Sequence, residues 1–313
     1  MISEETLATA LLVSRIVDNG TRPLKASEFW ELPDSKSDLI GKSHKDLCEM
    51  GLEQELADRI LKLCDRATSL TFELQKFEDS GIKTLTPDNE NFPLRLLQRL
   101  GRKSPALFYA VGNLEHLNKP TMGIVGSRNV SEEGAEVAKN LAKTAVDMGY
   151  AVVSGGARGV DQLSMNAAYE SNGNVIGVLA DSLLKAVNNS DMRRSLLEDS
   201  NTVLITPYSP DAPFNVGNAM GRNKVIYATS FLTFVVATDE DKGGTWTGAI
   251  ESLRNGFGKV AVWRGEGEGP GNAELELKGA HGFGDMGKIK QLLEEPEEMP
   301  PPLVDSSQEK LFK

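Results

Sequence analysis

Three short glycine-bearing segments carry the residue types that grip an anion: Gly126-Ser127-Arg128, Ser154-Gly155-Gly156-Ala157-Arg158-Gly159 and Lys242-Gly243-Gly244-Thr245. Glycine lets a backbone N–H approach an oxyanion, a helix start adds partial positive charge, and arginine adds charge-assisted hydrogen bonds. A fourth segment, Gly221-Arg222-Asn223-Lys224, reads as the opening of a helix that runs on through Val225, Ile226 and Ala228. Basic side chains at a helix start oppose the macrodipole, and a bound phosphate would offset that. Two readings stay open at Arg222: such a phosphate contact, or an ion pair with an acid such as Asp211. No segment is Gly-x-Gly-x-x-Gly, and the chain holds no Gly-x-x-x-x-Gly-Lys-Ser/Thr. Neither an ordinary dinucleotide cofactor nor a P-loop nucleotide is therefore expected.

The elements that must position these segments follow from apolar periodicity. Met122–Gly126, Ala151–Ser154, Val175–Leu179, Thr202–Ile205, Phe231–Ala237 and Lys259–Trp263 are apolar runs separated by helix-length segments. Uninterrupted runs of this kind are strands buried on both faces, so the fold class is α/β, an extended Rossmann-like parallel sheet with helices on both faces. In such a sheet the loops at the carboxyl ends of the strands surround the binding crevice, and the three glycine segments fall there. Before the sheet, Leu7, Leu11, Leu12 and Ile16, then Leu52, Leu56, Ile60, Leu61 and Leu63, recur near a 3.6 period. Residues 1–80 are read as a small helical N-terminal domain and 81–283 as the Rossmann-like domain. From Arg264 on, the Gly-Glu stretch to Gly271, Glu294–Glu298 and Pro300–Pro302 favour exposed, poorly ordered chain, with 284–313 as an acidic, proline-rich flexible tail.

Composition bounds the function. The 313 residues are 40% hydrophobic and 6% aromatic with a net charge of −11, enough for one sizeable core. An acidic chain is an unusual nucleic-acid binder, but the charge is uneven: residues 1–100 carry 13 basic and 18 acidic residues, 101–263 carry 15 and 16, and 264–313 carry 6 and 11. The acidity lies in the arms. No apolar stretch is long enough for a membrane span, and Met1-Ile-Ser-Glu-Glu lacks the start of a signal peptide, so a cytoplasmic protein is expected. Cys48 and Cys64 lack metal spacing and His44, His116 and His281 are scattered, so neither a disulfide framework nor a metal site is expected.

The order of motifs resembles the DNA-processing protein A family (DprA, also called Smf) from about Gly81 to Phe283. The match runs through Gly81-Ile-Lys-Thr-Leu-Thr-Pro87, Phe92-Pro93, Pro105-Ala-Leu-Phe108, Gly123-Ile-Val-Gly-Ser-Arg128 and Val153-Ser-Gly-Gly-Ala-Arg-Gly-Val-Asp161. It continues through Gly177-Val-Leu179, Arg222-Asn223, Gly243-Gly244-Thr245 and Gly271-Asn272. The resemblance implies a protein that binds and protects single-stranded DNA, loads a RecA-type recombinase, dimerises through this domain, and serves recombination or DNA uptake without catalytic turnover or cofactor. Carried over by position, Gly126, Ser127, Arg128, Ser154, Gly155, Gly156, Arg158, Arg222, Asn223, Lys224, Gly243, Gly244 and Thr245 would line the phosphate path. Trp246 is the candidate for stacking a base.

Other classes stay open. Gly243-Gly-Thr245 with Glu251 is similar to the Gly-Gly-x-Gly-Thr-x-x-Glu motif of the lysine-decarboxylase-like or LOG superfamily, which implies a nucleotide sensor or a phosphoribohydrolase. Asp161 and Glu251 would then be acid and base, against the plainer reading of Asp161 as a helix cap and Glu251 as a solvated side chain. A pure interaction scaffold is the third class. At the far end, Gln308-Glu-Lys-Leu311-Phe312 resembles the short peptide with which bacterial proteins bind the replication sliding clamp, Leu311 and Phe312 filling an apolar pocket and Gln308 adding hydrogen bonds. Such a tail would tether the DNA-binding domain near replicating DNA.

Overall fold

The structure is a computed structural model that describes residues 2–189, 196 and 200–294. The first helix, Glu4–Val13, starts where the Ser3 hydroxyl accepts the Thr6 N–H at 3.0 Å, with Glu4 and Glu5 in its first turn. His44–Glu49 starts on a capping box, the Ser43 hydroxyl accepting the Asp46 N–H and the Asp46 carboxylate accepting the Ser43 N–H. Helices Gln54–Cys64 and Ala67–Asp79 follow.

Two apolar clusters gather these helices. Leu12, Phe29, Leu39, Leu47, Ile60 and Leu63 pack with one another. Ala10, Leu11, Leu70, Leu74 and Phe77 pack instead with Tyr109 and Val111 of β2 (Phe108–Gly112) and Leu204 of β6 (Thr202–Thr206). The division expected at residue 80 therefore does not coincide with a break in the packing. Burial of the helices' second face is completed only by strands that come later in the chain.

The described residues divide into two compact units. One is formed by residues up to 94, 102–119 and the described part of 172–222; the other by 95–101, 120–171 and the described residues from 223 on. In the first, β1 (Lys83–Leu85) pairs antiparallel with β2, β2 pairs antiparallel with β6, and β6 pairs parallel with β5 (Val175–Val178). These two antiparallel strands were not expected from the sequence, although Phe108-Tyr109-Ala110-Val111 is a wholly buried apolar run.

In the second unit β3 (Thr121–Val125), β4 (Ala151–Ser154), β7 (Leu232–Val235), β8 (Lys259–Trp263) and β9 (His281–Phe283) are all parallel, in the order β4-β3-β7-β8-β9. Every residue of β3, β4 and β7 is buried, as their unbroken apolar character requires. The helix Glu132–Asp147 connects β3 to β4, with the Ser131 hydroxyl accepting the Gly134 N–H, and Val160–Glu170 follows β4.

The stretch from Arg264 to Glu294 is built into the fold, which corrects the expectation of poorly ordered chain. Fully buried Asn272 accepts the Thr238 N–H at 3.0 Å and donates to the carbonyls of Val236 and Trp263 at 2.8 Å each, joining the ends of β7 and β8. Gly269 lies so close to the Thr238 backbone that a Cβ would collide with it, which is why the glycine-rich run packs rather than dangles. Helices Asn272–Leu277 and Ile289–Glu294 follow, the latter burying Ile289 and Leu292. The clamp-like residues Gln308, Leu311 and Phe312 lie outside the described residues. Among the described residues no helix is long and apolar enough to cross a membrane.

Arg66 ties the first unit together from inside: it is 4% exposed and donates to the carbonyls of Val17, Leu11 and Ser14 at 2.6, 2.5 and 2.9 Å. Its removal leaves buried carbonyls without their charged donor. Arg66→Ala is expected to lower the unfolding free energy by about 3 kcal/mol in urea titration, and an unchanged midpoint would refute this role.

Candidate functional site

Strand β3 is where the strand order of the second unit reverses: the chain passes from β3 to β4 on one side, and β7 lies on the other. A crevice opens outside the carboxyl ends of strands at such a point. The loops after β3, β4 and β7 are Gly126–Val130, Gly155–Gly159 and Val236–Lys242, the last leading into the helix Gly243–Asn255.

These loops interlock. A Cβ on Gly126 would sit 2.6 Å from a Val160 methyl, and one on Gly159 would collide with the Ser127 carbonyl and lie 2.8 Å from the Arg128 Cα. Gly159 also has φ +87°, a conformation that disfavours any side chain. The Ser127 N–H donates to the Ala237 carbonyl at 2.9 Å, and the Ser127 carbonyl accepts the Val160 N–H at 3.3 Å. The Thr245 hydroxyl donates to the Gly126 carbonyl at 3.0 Å, and the Asn223 amide donates to the Gly244 carbonyl at 2.9 Å. Polar groups of the loops are thus spent on each other, fixing the backbone.

Cations and bare backbone project outward, and so do the carboxylates Asp239, Glu240 and Asp241 of the loop after β7. Arg128, Arg158, Lys242, Gly243 and Gly244 are exposed. Arg158 donates to the Asn129 side-chain oxygen at 2.6 Å, so Asn129, which sequence reasoning missed, aims this guanidinium. The helix Gly243–Asn255 begins without a side-chain cap, leaving its first N–H groups for an anion. Among the described residues no group of His, Cys, Asp and Glu is arranged to hold a metal.

A family model for DNA recombination-mediator protein A matches residues 83–289. The chain belongs to that family. Curated relatives include the DNA processing protein DprA of Bacillus subtilis, 27% identical over 190 residues that make up 60% of this chain and 63% of that protein. The protein Smf of Synechocystis is 26% identical over 203 residues, 63% of this chain and 50% of that protein. The chain thus spans about half to under two-thirds of the length of these relatives. Among solved structures, Streptococcus pneumoniae DNA processing protein A superposes with a TM-score of 0.64 over 93% of each chain at 18% identity. Helicobacter pylori DNA processing protein A, in a structure that concerns its single-stranded DNA binding mode, gives 0.56 over 69% of this chain and 98% of its own at 24% identity. Both share the fold.

Several residues placed by family position do other work here. Ser154 is fully buried and its hydroxyl donates to the Ile124 carbonyl at 2.6 Å, and Gly155 is buried beside it. Arg222 does not open a helix. The helix runs Val216–Thr229, started by the Asn215 side-chain oxygen accepting the Asn218 N–H at 2.7 Å, and Arg222 lies midway, 5% exposed, donating to the Val178 carbonyl at 3.1 Å. It belongs to the first unit, whereas Asn223 and the half-buried Lys224 belong to the second with the loops. Trp246 is 6% exposed, so its ring has no free face for a base, and the stacking expectation is corrected. Its spacing to Ala249 on the inner face of the helix Gly243–Asn255 accounts for the burial.

Of the acid and base expected of a hydrolase, Asp161 has a structural contact. Asp161 is buried in the first turn of Val160–Glu170 and accepts the Ala157 N–H at 3.4 Å, shaping the Gly155–Gly159 loop. Burial pushes the phenol of Tyr227 well above its ordinary range, with the Asp161 charge adding to the rise. Glu251 lies two turns into the helix Gly243–Asn255, half-buried.

Gly159 is the tightest of these contacts. Gly159→Ala is expected to lower stability by about 1–3 kcal/mol and to displace the Ser127–Asn129 loop, read as a shift in thermal midpoint with altered amide resonances for those residues. Wild-type stability and spectra would show the loops are not interlocked in solution.

Proposed function

We propose that the protein binds single-stranded DNA without sequence preference, its phosphates running over the loops Ser127–Asn129, Gly156–Arg158 and Gly243–Thr245. The observation that carries this reading is the pairing of two exposed arginines, Arg128 and Arg158, with loop backbone that interlocking glycines hold in place. Phosphate contacts from arginine and main-chain N–H groups position a strand and carry no sequence information. Family membership and the likeness to a protein whose structure concerns single-strand binding support the same reading.

In the cell the bound strand would be protected and passed to a RecA-type recombinase, in recombination or DNA uptake, by a cytoplasmic homodimer that performs no turnover and needs no cofactor. These finer roles rest on the family. The clamp tether rests on the spacing of Gln308, Leu311 and Phe312 alone.

Salt titration tests the phosphate path. With a labelled oligothymidylate, Arg128→Ala and Arg158→Ala are each expected to weaken binding by about tenfold and to reduce the slope of log K against log salt by about 0.7, the value of one released counterion on a single strand. Trp246→Phe is expected to leave affinity unchanged. Arginine variants that keep both the wild-type affinity and slope at low and moderate salt would refute the path.

A further inference from the structure

The glycine-rich run Gly265–Gly271 fixes a row of carboxylates beside the arginine loops. A Cβ on Gly267 would collide with the Gly134 nitrogen, at the start of the helix Glu132–Asp147, and one on Gly271 would lie 2.6 Å from the Asp239 carbonyl, in the loop after β7. The run thus joins two places that flank Arg128. Gly134 follows Arg128 within the same loop and helix start, and Ala237, whose carbonyl accepts the Ser127 N–H at 2.9 Å, comes two residues before Asp239, at most about 7 Å of extended chain. Glu266 is exposed on the run, and Asp239, Glu240 and Asp241 are exposed on the loop that the run holds. Nearby cations have other partners: Lys278, close to Asp241, is paired with Glu274 at 2.8 Å, and Arg264 with Glu268 at 2.7 Å. The Asn272 side chain also accepts the Thr238 N–H, so the backbone under these carboxylates is held in place when an anion approaches.

We propose that this fixed row of carboxylates rejects the second strand of a duplex, so that Asp239, Glu240, Asp241 and Glu266 set the choice of single over double strands. The proposal rests on the single-strand reading above and adds a specificity to it. In a duplex each backbone is flanked on both sides by the other, across a minor groove of about 6 Å and a major groove of about 12 Å. With the phosphates of one strand on Arg128 and Arg158, either groove turned toward β7 brings phosphates of the other strand to the carboxylates, within about one Debye length. Like charges placed together there oppose the contact. A single strand carries no second row of phosphates, and its backbone is free to turn away once past the arginines. Because the carboxylates are exposed, salt screens the effect.

The test measures binding of the full chain to a labelled oligothymidylate, alone and paired with its complementary oligodeoxyadenylate. The wild type is expected to favour the single strand. The triple variant Asp239→Asn, Glu240→Gln, Asp241→Asn, after its melting temperature confirms the fold, is expected to gain about tenfold in duplex affinity at low salt and no more than about threefold in single-strand affinity, the difference shrinking as salt rises. Glu266→Gln, a single change on the other segment, is expected to gain about threefold for the duplex and keeps the test decisive if the triple variant unfolds. A control makes the same change in net charge on exposed positions of the first unit, Glu55→Gln, Asp65→Asn and Asp79→Asn, and is expected to move both affinities equally. The carboxylate proposal alone is overturned if the wild type binds duplex as tightly as single strand, if the folded variants keep the wild-type ratio, or if the control shifts that ratio as much as they do. If the wild type binds neither ligand, the single-strand reading and this specificity fall together.

Discussion

The site depends on a contact that only glycine permits. Gly159, at φ +87°, lies against the Ser127 carbonyl and the Arg128 Cα, while Gly126 lies against Val160. Side chains at either place would hold the β3 and β4 loops apart. With the loops touching, Ser127 is bonded on one side to Ala237 and on the other to Val160, and Arg128 emerges from backbone anchored by both neighbouring strands. An arginine on such a base loses less freedom when it meets a phosphate than one on a loose loop, so more of the interaction appears as affinity. The exposed cationic pair and the uncapped start of Gly243–Asn255 are arranged around this junction in the second unit.

A net charge of −11 does not conflict with binding a polyanion, because binding reads the local field. Away from the site several arginines are matched to carboxylates: Arg22 to Glu28, Arg102 to Glu31, and Arg264 to both Glu268 and Glu276. Arg158 leans instead on the neutral amide of Asn129, a bond that a phosphate oxygen can replace at the guanidinium without leaving a charge stranded.

Six of the seven described parallel strands were legible in the sequence because burial makes each a largely unbroken apolar run, and β3 to β8 all fall on the expected runs, whereas the short, mostly exposed β9 does not carry that signal. The glycine loops were legible as loops because each follows an apolar run that ends a buried strand. Side-chain fate was less readable. Arg222 looked like a helix start because Gly221 directly precedes it. The cap is Asn215, and Gly221 is needed where the Tyr208 hydroxyl passes on its way to the Asn218 carbonyl. Trp246 looked available because it follows an exposed Gly-Gly, yet the helix turns it inward. The Gly265–Gly271 run looked disordered because composition cannot register that Asn272 anchors it.

The central claim is that Arg128 and Arg158, on the loops at the carboxyl ends of β3 and β4, and the start of the helix that follows β7 hold the phosphates of a single strand. Amide resonances followed while a short oligothymidylate is added test it most directly. The account expects the largest shifts at Ser127–Asn129, Gly156–Arg158 and Gly243–Thr245, with the buried amides of β3 and β4 little changed. Shifts confined to the helices between Glu4 and Asp79, with these loops silent, would contradict it.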